Sequence, residues 1–537
     1  MAHDNGTSPA ARSREGASRS HTDRTFSRRQ LLGTGAALSS AGLLSACGVS
    51  ATPEFDLSKP VKGGRLRVGL TGGTSADTVD AHVAVNTTDI CRMHNMYEGL
   101  LSRGPDYEVE YRLATSVEPN DDATVWTAKL REGVKFSDGR EMTSEDVIAS
   151  YERIRNPDDP KTSAAVLATL DFMKAKGPYE VEFHFKEPNS IFDDPMSGYT
   201  TTIVPKDYDP ENPVGTGPFM LKSFEPALST VLERNPHYWD GTPHLDEIEL
   251  LNFNDTDAVI NALLSNQVDC VAQIPVSLAK VIEADERMRL LNSKTGMWLP
   301  FTMRVDKKPF DDERVRQAFR LVVDREQMIN QVLSGFGQVG NDMFGVYDPD
   351  YPKQFPQRRR DVEKAKQLLA EAGYPDGLTV ELVTAPIQSG TVEAAQVFAQ
   401  QARDAGITVK IRRVDTTTFF GDNYLKWDFA QSFWYTRNFA PQADQCLMDN
   451  SPFNETNWAS DKTDDIIKRI QAETDPEKRR KIVQEGQKQQ YEEGGYIIWG
   501  FANQVDAYQK YVGGLTESAT GIPLSSFRFR DVWIAKA

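Results

Sequence analysis

The sequence predicts a mixed α/β fold that is divided among two or three domains. Residues 126–130 alternate between apolar and polar side chains, which is the two-residue period of a half-buried β-strand. Thr143 then begins a stretch in which Val147, Ile148 and Tyr151 share one face of a helix. The chain has 537 residues. About 490 remain once an amino-terminal export segment is removed, which is more than one hydrophobic core normally serves.

The first 46 residues are predicted to be a signal peptide and not part of the fold. Arg28-Arg29 precedes Leu31–Leu44, an apolar run that is too short to span a bilayer, which takes about 20 apolar residues. Leu44-Ser45-Ala46-Cys47 has the pattern of a lipobox, whose cleavage leaves Cys47 as the lipid-carrying first residue. The arginine pair predicts export by the twin-arginine route, although the Sec route also accepts such a pair. Residues 47–60 are expected to form a lipidated tether.

The charge of the chain argues against nucleic acid as a partner. The whole chain carries a formal charge of −17 at neutral pH. Residues 1–46 hold six arginines against three carboxylates, so the charge of the remaining chain is −20. Such an acidic surface repels phosphate backbones, although it says nothing about the charge inside a binding pocket.

The cysteines give no sign of zinc or redox chemistry. Apart from Cys47, the chain holds Cys91, Cys270 and Cys446, which are widely spaced and include no C-x-x-C pair. One disulfide with one free thiol is an alternative, but we expect three buried thiols.

Further strands and helices are predicted from periodic stretches and their end signals. Strands are expected at Lys62–Leu70, with Leu66, Val68 and Leu70 on one face, and at Tyr179–Phe185. Helices are expected at Asp257–Val268 and at Asp361–Ala372, the second ending before Gly373. Another helix is expected after Asp324, which should cap it, with the side chain of Gln327 bonding back to the N–H of Asp324. A further helix is expected to begin after Asp475-Pro476.

The strand–turn–helix unit at residues 126–154 carries a specific pattern. Its order, LREGVKFSDG-x-x-MTSEDV, closely resembles the signature of the family 5 solute-binding proteins of ABC importers, which bind dipeptides, oligopeptides and nickel chelates. Asp138-Gly139 supplies the turn, because glycine tolerates the positive φ of such a corner. Further blocks are similar to those of the same family: Asn95–Leu101, Val214–Phe219, Leu232–Trp239 and Pro309–Ala318.

Resemblance to this family implies a two-lobed, periplasmic-binding-protein-like fold of the large class, which has an extra domain. Domain I is then expected at 61–92, 203–299 and 505–537, domain II at 93–202, and domain III at 300–504. The chain is expected to cross between the lobes near Phe301 and again near Asn503. Two lobes that close on a solute form a concave site at their interface.

The stretch Phe433–Pro441 is the main candidate for the wall of that site. It resembles the W-x-A-D-Y-x-x-P block of the family, with Trp434 on the tryptophan and Pro441 on the proline. In the family's peptide binders, the aspartate of this block pairs with the α-amino group of the peptide. Arg437 stands at that position here, and a guanidinium repels an ammonium group but pairs with carboxylate or phosphate. We therefore expect an anionic group of the ligand at Arg437, with Trp434 beneath it.

Further candidates lie within this stretch or end strands that should face the cleft. They are Tyr435, Asn438, Phe439, Trp298, Tyr97, Thr71, Gly72 and Gly73. Ordinary core packing is the alternative role for Tyr435 and Phe439, and a solvated surface position is the alternative for Arg437. An aromatic platform suits ligands of varied shape, which favours Trp434.

The sequence lacks the common catalytic motifs. It holds no G-x-S-x-G, H-E-x-x-H or G-x-x-x-x-G-K-[ST] pattern, so no catalytic residue, metal or cofactor is predicted, and any ATPase must be a separate subunit. Gly335-x-Gly337-x-x-Gly340 follows a predicted helix instead of a strand and fails the context of a dinucleotide site. The seven histidines include no pair at i, i+4 spacing.

The sequence therefore predicts a lipid-anchored binding subunit of an ABC importer. This subunit, expected to be a monomer, captures a peptide or peptide-like solute outside the cell membrane or in the periplasmic space and passes it to the permease subunits. Within the same class, a nickel chelate, an opine, a sugar derivative or another anionic metabolite is the alternative ligand. Two other classes stay open, namely a surface-tethered hydrolase and a lipoprotein used for signalling or adhesion.

Overall fold

The computed structural model describes residues 54–84, 86–449, 451–458 and 461–536, with only the backbone of Asp461. Arg28, Arg29 and Cys47, on which the predicted export signal and lipid anchor depend, lie outside these residues. In the part of the chain that the structure describes, no helix is long and apolar enough to cross a membrane. The same part holds no group of three or more histidine, cysteine, aspartate or glutamate residues that could bind a metal ion.

Strands and helices alternate along the chain. The strands are β1 (Arg65–Thr71), β2 (Leu101–Arg103), β3 (Val109–Tyr111), β4 (Ala114–Pro119), β5 (Val125–Leu130), β6 (Leu170–Gly177), β7 (Glu180–Phe185), β8 (Phe219–Glu225), β9 (Ser229–Arg234), β10 (Glu247–Phe253), β11 (Cys270–Val271), β12 (Met288–Trp298), β13 (Phe301–Met303), β14 (Gly337–Val339), β15 (Leu378–Thr384), β16 (Ile407–Arg413), β17 (Phe429–Gln431), β18 (Tyr496–Ile497), β19 (Gly500–Gln509), β20 (Val512–Gly513) and β21 (Trp533–Ile534). The helices are α1 (Thr87–Met96), α2 (Ser144–Ile154), α3 (Asp193–Met196), α4 (Thr256–Leu264), α5 (Val276–Glu283), α6 (Glu313–Leu321), α7 (Arg325–Val332), α8 (Val362–Glu371), α9 (Thr391–Ala402), α10 (Thr416–Phe419), α11 (Phe439–Cys446), α12 (Asp461–Ala472) and α13 (Pro476–Glu493).

The largest sheet among the described residues has eight strands. Its order is β12-β19-β11-β1-β10-β9-β8, and β14 also pairs with β19. β1 runs parallel to β10 and β11, while the other pairs are antiparallel. The predicted alternation of β1 is confirmed, since every second residue from Leu66 to Leu70 is buried. The strand starts at Arg65 and not at Lys62, because Gly63 and Gly64 both adopt a φ of +93°.

A second sheet is formed by the insertion between α1 and β8, in the order β4-β5-β7-β6. The predicted strand–turn–helix unit is confirmed here, because Trp126, Ala128 and Leu130 of β5 are buried and Gly139 makes the turn with φ +89°. The helix α2 follows, and the carboxylate of Asp146 accepts a hydrogen bond from the backbone N–H of Thr143 at 2.8 Å. α2 packs against β6 and β7, so the insertion has a hydrophobic core of its own.

Between residues 299 and 499 the chain packs around buried phenylalanines. Phe301, Phe319, Phe398 and Phe429 contact one another with ring centroids between 4.5 and 6.1 Å apart. Two small sheets flank these rings, one in the order β17-β13-β18 and one formed by the parallel pair β15-β16. The observed mixture of parallel and antiparallel sheets with helices confirms the predicted α/β class.

The start of α7 differs from its predicted capping in one respect. The side chain of Asp324 accepts from the backbone N–H of Gln327 at 2.9 Å, as expected. The backbone N–H of Asp324 donates to Oε1 of Gln401 in α9 at 2.9 Å, and not to Gln327. Oε1 of Gln327 accepts instead from Nε2 of Gln401 at 2.7 Å. A contact between two helices therefore replaces a local bond that the sequence pattern had predicted.

The other predicted helices have the expected starts, and one has a different end. α8 and α13 begin after Asp361 and Asp475, whose side chains accept from N–H groups of the first turn. α4 ends at Leu264 and not at Val268, because Asn266 adopts a φ of +60° that a right-handed helix does not allow.

The three remaining cysteines are buried free thiols, as predicted. Cys91, Cys270 and Cys446 form no disulfide with one another. Burial raises the pKa of each thiol above its ordinary value, so all three stay protonated and unreactive.

Strands β12 and β19 form an antiparallel ribbon whose register is irregular between Ser293 and Met297. The crossings expected near Phe301 and Asn503 lie close to one end of this ribbon, and the domain limits themselves stay a prediction. We call residues 54–96, 204–298 and 500–536 the large-sheet region, residues 97–203 the insertion, and residues 299–499 the second region.

Candidate functional site

A cavity of about 520 Å³ lies where the large-sheet region, the insertion and the second region meet. The large-sheet region contributes residues 520–523 and 526–528, and the insertion contributes Tyr107 and Tyr199. The second region contributes Tyr435 and Arg437. A concave, mostly apolar wall with a few polar groups is typical of sites for small molecules.

Hydrogen bonds hold the two sides of this cavity together. The hydroxyl of Tyr107 donates to the backbone carbonyl of Thr436 at 2.9 Å. Further along the insertion, Ser190 donates from its N–H to the carbonyl of Gln471 at 2.7 Å and from its hydroxyl to the carbonyl of Ile470 at 2.8 Å. Both carbonyls belong to the last turn of α12, where a helix leaves acceptors free. The insertion and the second region are therefore closed over the cavity.

Arg437 differs from the other arginines around the cavity, because no described carboxylate is its partner. Its guanidinium lies over the ring of Trp434, 5.6 Å from the centroid. Its Nη1 approaches Oε1 of Gln442 at 3.5 Å, which is the long limit of a hydrogen bond. Within the described ranges no carboxylate forms an ion pair with it, whereas Arg103 pairs with Asp194.

Arg528, the third arginine in the wall, is also neutralised by the protein. Its Nη1 lies 2.8 Å from Oε2 of Glu110, and its Nη2 also donates to Ser102 and to the carbonyl of Arg103. Arg103 and Arg528 are both paired, so among the described residues of the wall Arg437 is the arginine without a carboxylate partner.

The titratable rings in the wall stay uncharged at neutral pH. Burial raises the pKa of the Tyr435 and Tyr199 phenols above their ordinary value. Burial, together with the charge of Arg528, lowers the pKa of His94 to about 3. These groups act as neutral hydrogen-bonding surfaces, so they do not offset the charge of Arg437.

The structure brings only part of the predicted site to the cavity. Tyr435 and Arg437 line it, and Tyr97 lines an adjoining cavity of about 360 Å³. The two cavities share His94, Tyr199 and further wall residues.

The predicted aromatic platform lies behind the wall. Trp434 was expected beneath the ligand, but its ring lies beneath the guanidinium of Arg437. Trp298 is only 1% exposed and stacks between Trp434 and Phe344. Phe439 is also 1% exposed and stacks on Phe344. These rings belong to one hydrophobic cluster, which sets the position of Arg437 from below.

The remaining candidates do not line either cavity. Asn438 precedes α11 as its N-cap. Thr71 ends β1, and Gly73 lies against the side chain of Asn252, since a methyl group on it would be 2.3 Å from Nδ2. Gly72 has open space around it. The end of β1 therefore packs within the large-sheet region and does not reach the cavity.

Sequence reasoning missed the wall residues that come from the insertion and from the carboxyl-terminal segment. Tyr107, Tyr199 and Arg103 are more than two hundred positions away from Arg437, and no local pattern shows that they meet it. The turn that contains Tyr107 follows a Pro-Asp pair, which signals a turn but not a site.

Leu524–Phe527 form a left-handed turn beside the cavity, with φ of 48°, 62°, 60° and 55°. This conformation costs energy for residues other than glycine and persists where the surroundings hold it, often at functional sites. The carboxylate of Asp506 accepts from the N–H of Leu524 at 2.7 Å, and the amide of Asn95 donates to the carbonyl of Phe527 at 2.9 Å. No glycine marks the turn in the sequence.

The comparisons with known proteins agree with one another, because the matching family model and the relatives are all of solute-binding proteins. Residues 108–458 match the model of the bacterial extracellular solute-binding proteins, family 5. The glutathione-binding protein GsiB of Salmonella typhi is 27% identical over 353 residues, which are 64% of this chain and 68% of that protein. The oligopeptide-binding protein AppA of Bacillus subtilis is 27% identical over 420 residues, which are 72% of this chain and 76% of that protein.

Solved structures show the same architecture. The periplasmic binding protein AgaA from A. tumefaciens R10, in complex with agropinic acid, superposes with a TM-score of 0.72 at 25% identity and covers 88% of this chain and 99% of its own. Because the match covers 88% of this chain and nearly all of a periplasmic binding protein, the two-lobed fold expected from the sequence is confirmed.

Proposed function

The chain belongs to the bacterial extracellular solute-binding proteins of family 5, and we propose that it captures a peptide or peptide-like solute in the 520 Å³ cavity. It then delivers this solute to an ABC permease whose ATPase is a separate subunit. The observation that carries the proposal is the cavity itself, which lies between three regions that hydrogen bonds close together. The relatives are binding proteins, so the solute is expected to leave unchanged.

Arg437 determines which solutes fit the proposal. It is the wall cation without a described carboxylate partner, and an arginine in a partly buried site favours carboxylate or phosphate. A free ammonium group at this point would meet a like charge, which disfavours binding. We therefore propose that the solute presents an anionic group to Arg437, and that a peptide is held here by a carboxylate and not by its amino terminus.

A non-peptide anionic solute is the second candidate. The AgaA structure, at 25% identity, holds agropinic acid. GsiB binds glutathione and AppA binds oligopeptides, as their names state. Glutathione, agropinic acid and a peptide's carboxyl terminus each supply a carboxylate, so all three observations are compatible with one anionic group at Arg437.

We also propose that the protein works outside the cytoplasm as a lipid-anchored monomer. The support is the order of Arg28-Arg29, the apolar run and the lipobox that ends at Cys47. A diacylated cysteine supplies the two lipid signals that stable anchoring needs. Incorporation of labelled palmitate is expected to disappear in Cys47→Ala; unchanged incorporation would remove this part of the proposal.

Mass spectrometry of the solute that co-purifies with the folded protein tests the ligand. The protein is isolated from its own cells under native conditions, and the solute is released by unfolding. We expect a solute that carries a carboxylate or phosphate and is chemically intact. A solute with ammonium groups and no anionic group, or a pair of hydrolysis products, would contradict the proposal.

A further inference from the structure

Thr436 lies between the two cavity residues Tyr435 and Arg437 and is itself buried, with 5% exposure. Its hydroxyl accepts a hydrogen bond from the backbone N–H of Gly296 at 2.9 Å and donates one to the backbone carbonyl of Ala519 at 2.7 Å. Both partners belong to the large-sheet region, while Thr436 belongs to the second region. The hydroxyl of Thr436 therefore adds two bonds between these regions to the antiparallel backbone pair of Trp298 and Trp434, whose N–H groups each donate to the other's carbonyl at 3.0 Å.

The backbone of Thr436 makes a third connection. Its carbonyl accepts from the hydroxyl of Tyr107, which stands on the turn between β2 and β3 in the insertion. Thr436 thus contacts all the other parts of the protein that form the cavity.

Two glycines give Thr436 the space for these contacts. A methyl group on Gly296 would lie 3.1 Å from Cγ2 of Thr436, and a methyl group on Gly521 would lie 3.6 Å from its Oγ1. Gly296 stands in the irregular stretch of β12, where the β12–β19 ribbon loses its regular pairing. Thr436 therefore lies next to the point where the chain crosses between the large-sheet region and the second region.

We propose that Thr436 is a positioning residue that locks the closed cleft and fixes Tyr435 and Arg437 against the solute. The inference rests on the proposed solute-capture function and goes beyond it by naming the contact that holds the closed state. The Gly296 bond lies beside the backbone pair of Trp298 and Trp434 and is kept when the cleft opens, whereas the bond to Ala519 and the bond from Tyr107 break. Their formation therefore favours the closed arrangement and couples closure to the placement of Arg437.

The test compares Thr436→Val, which keeps the shape but removes the hydroxyl, with Thr436→Ser, which keeps the hydroxyl. Spin labels are placed on the exposed positions of Glu283→Cys in α5 and Lys410→Cys in β16, since the native thiols at Cys91, Cys270 and Cys446 are buried. Distances between the labels are measured by pulsed electron resonance on the folded protein without added solute. The ratio of short to long distances is expected to fall about threefold in Thr436→Val, because the hydrogen bond to Ala519, which the proposal assigns to the closed form alone, is lost.

Thr436→Ser is expected to retain the wild-type distances, which a general packing defect at this position would not produce. Equal distributions in wild type and Thr436→Val, or a Thr436→Ser variant that behaves like Thr436→Val, would overturn the proposal. If Thr436→Val does not fold, Tyr107→Phe removes one of the three bonds and should lower the same ratio about threefold; an unchanged ratio would overturn the proposal as well. Because no solute is added, a wrong ligand assignment would appear in the mass spectrum and not in these distances.

Discussion

Two groups of arginines in this protein differ in what satisfies their charge. In the second region, Arg325 and Arg358 both pair with Asp342, whose side chain is fully buried. At the cavity, Arg437 has no described carboxylate partner and rests on an aromatic ring. A buried cation is costly unless it is paired. The first group is therefore part of what holds the fold, whereas Arg437 is the arginine that we propose to meet the charge of the solute.

The protonation of Asp342 follows from this pairing. Burial alone would raise the pKa of Asp342, but Arg325, Arg358 and Arg320 together lower it below its ordinary value. The carboxylate also accepts from the backbone N–H of Ile498 at 2.9 Å. It therefore remains ionised at neutral pH. Through Arg325 and Ile498 it connects α7 to the end of β18.

Asp342→Ala is expected to have the largest effect on stability. It leaves buried guanidinium groups without their counter-charge, which typically costs roughly 3–5 kcal/mol. Urea unfolding followed by circular dichroism measures the free energy of unfolding. The matched control is Asp404→Ala, which removes an ion pair with Arg360 on a carboxylate whose side chain is 64% exposed; this control should change stability by less than about 1 kcal/mol. Equal losses in the two variants would mean that burial of the pair is irrelevant.

Glu455 sharpens the comparison, because it is a buried carboxyl group that pairs with no cation among the described residues. It accepts hydrogen bonds from the hydroxyls of Tyr496 at 2.5 Å and Ser432 at 2.7 Å. Burial raises the pKa of Glu455 from 4.5 to about 7. The folded state thus holds this proton more tightly than the unfolded state, so the stabilisation is complete below pH 4.5 and is lost as the pH rises through about 7.

Glu455→Gln removes this titration while keeping a neutral side chain of similar shape. Between pH 4.5 and 7.5 the wild type is expected to lose stability relative to the variant, on the order of 2 kcal/mol. Urea unfolding of both proteins across this range measures the difference. The lowered pKa of Asp342 has the opposite effect on the free energy of unfolding, because the stability that this carboxylate contributes is lost only as the pH falls. A difference between wild type and Glu455→Gln that is constant with pH would contradict the assignment.

The smallest expected effect on stability comes from Arg437→Ala in the solute-free protein. The variant loses the contact with the ring of Trp434 and a long bond to Gln442, and it leaves no described carboxylate unpaired. The free energy of unfolding should therefore change by less than about 1 kcal/mol. A loss as large as that of Asp342→Ala would place Arg437 in the first group of arginines.

Much of the fold could be predicted from the sequence because its signals are local. The alternation in β1 and β5, the turn at Gly139 and the caps Asp361 and Asp475 each depend on neighbouring residues. Predictions failed where a distant group competes, as when Gln401 takes the bond expected from Gln327. Backbone conformations also escaped prediction where no glycine signals them, as at Asn266.

The candidate site could be predicted only in part. Arg437 was recognised because it replaces an aspartate in an otherwise similar block, and the structure places it in the cavity wall. The predicted role of Trp434 was incomplete. The sequence shows an aromatic residue close to Arg437, but it does not show that the ring lies beneath the guanidinium. Tyr107 and Tyr199 reach the cavity from the insertion, and their meeting with Arg437 is a property of the tertiary fold alone.

Calorimetric titration of wild type and Arg437→Ala with the solute identified by mass spectrometry tests the central claim, that Arg437 holds an anionic group of the solute. Arg437→Lys serves as the control that keeps the charge but loses the planar fork of donors. Removing one partner of a buried charge pair should weaken binding by about 2–5 kcal/mol in Arg437→Ala, with a smaller loss in Arg437→Lys. Unchanged affinity in Arg437→Ala, or tight binding of a solute through a free ammonium group at this position, would contradict the claim.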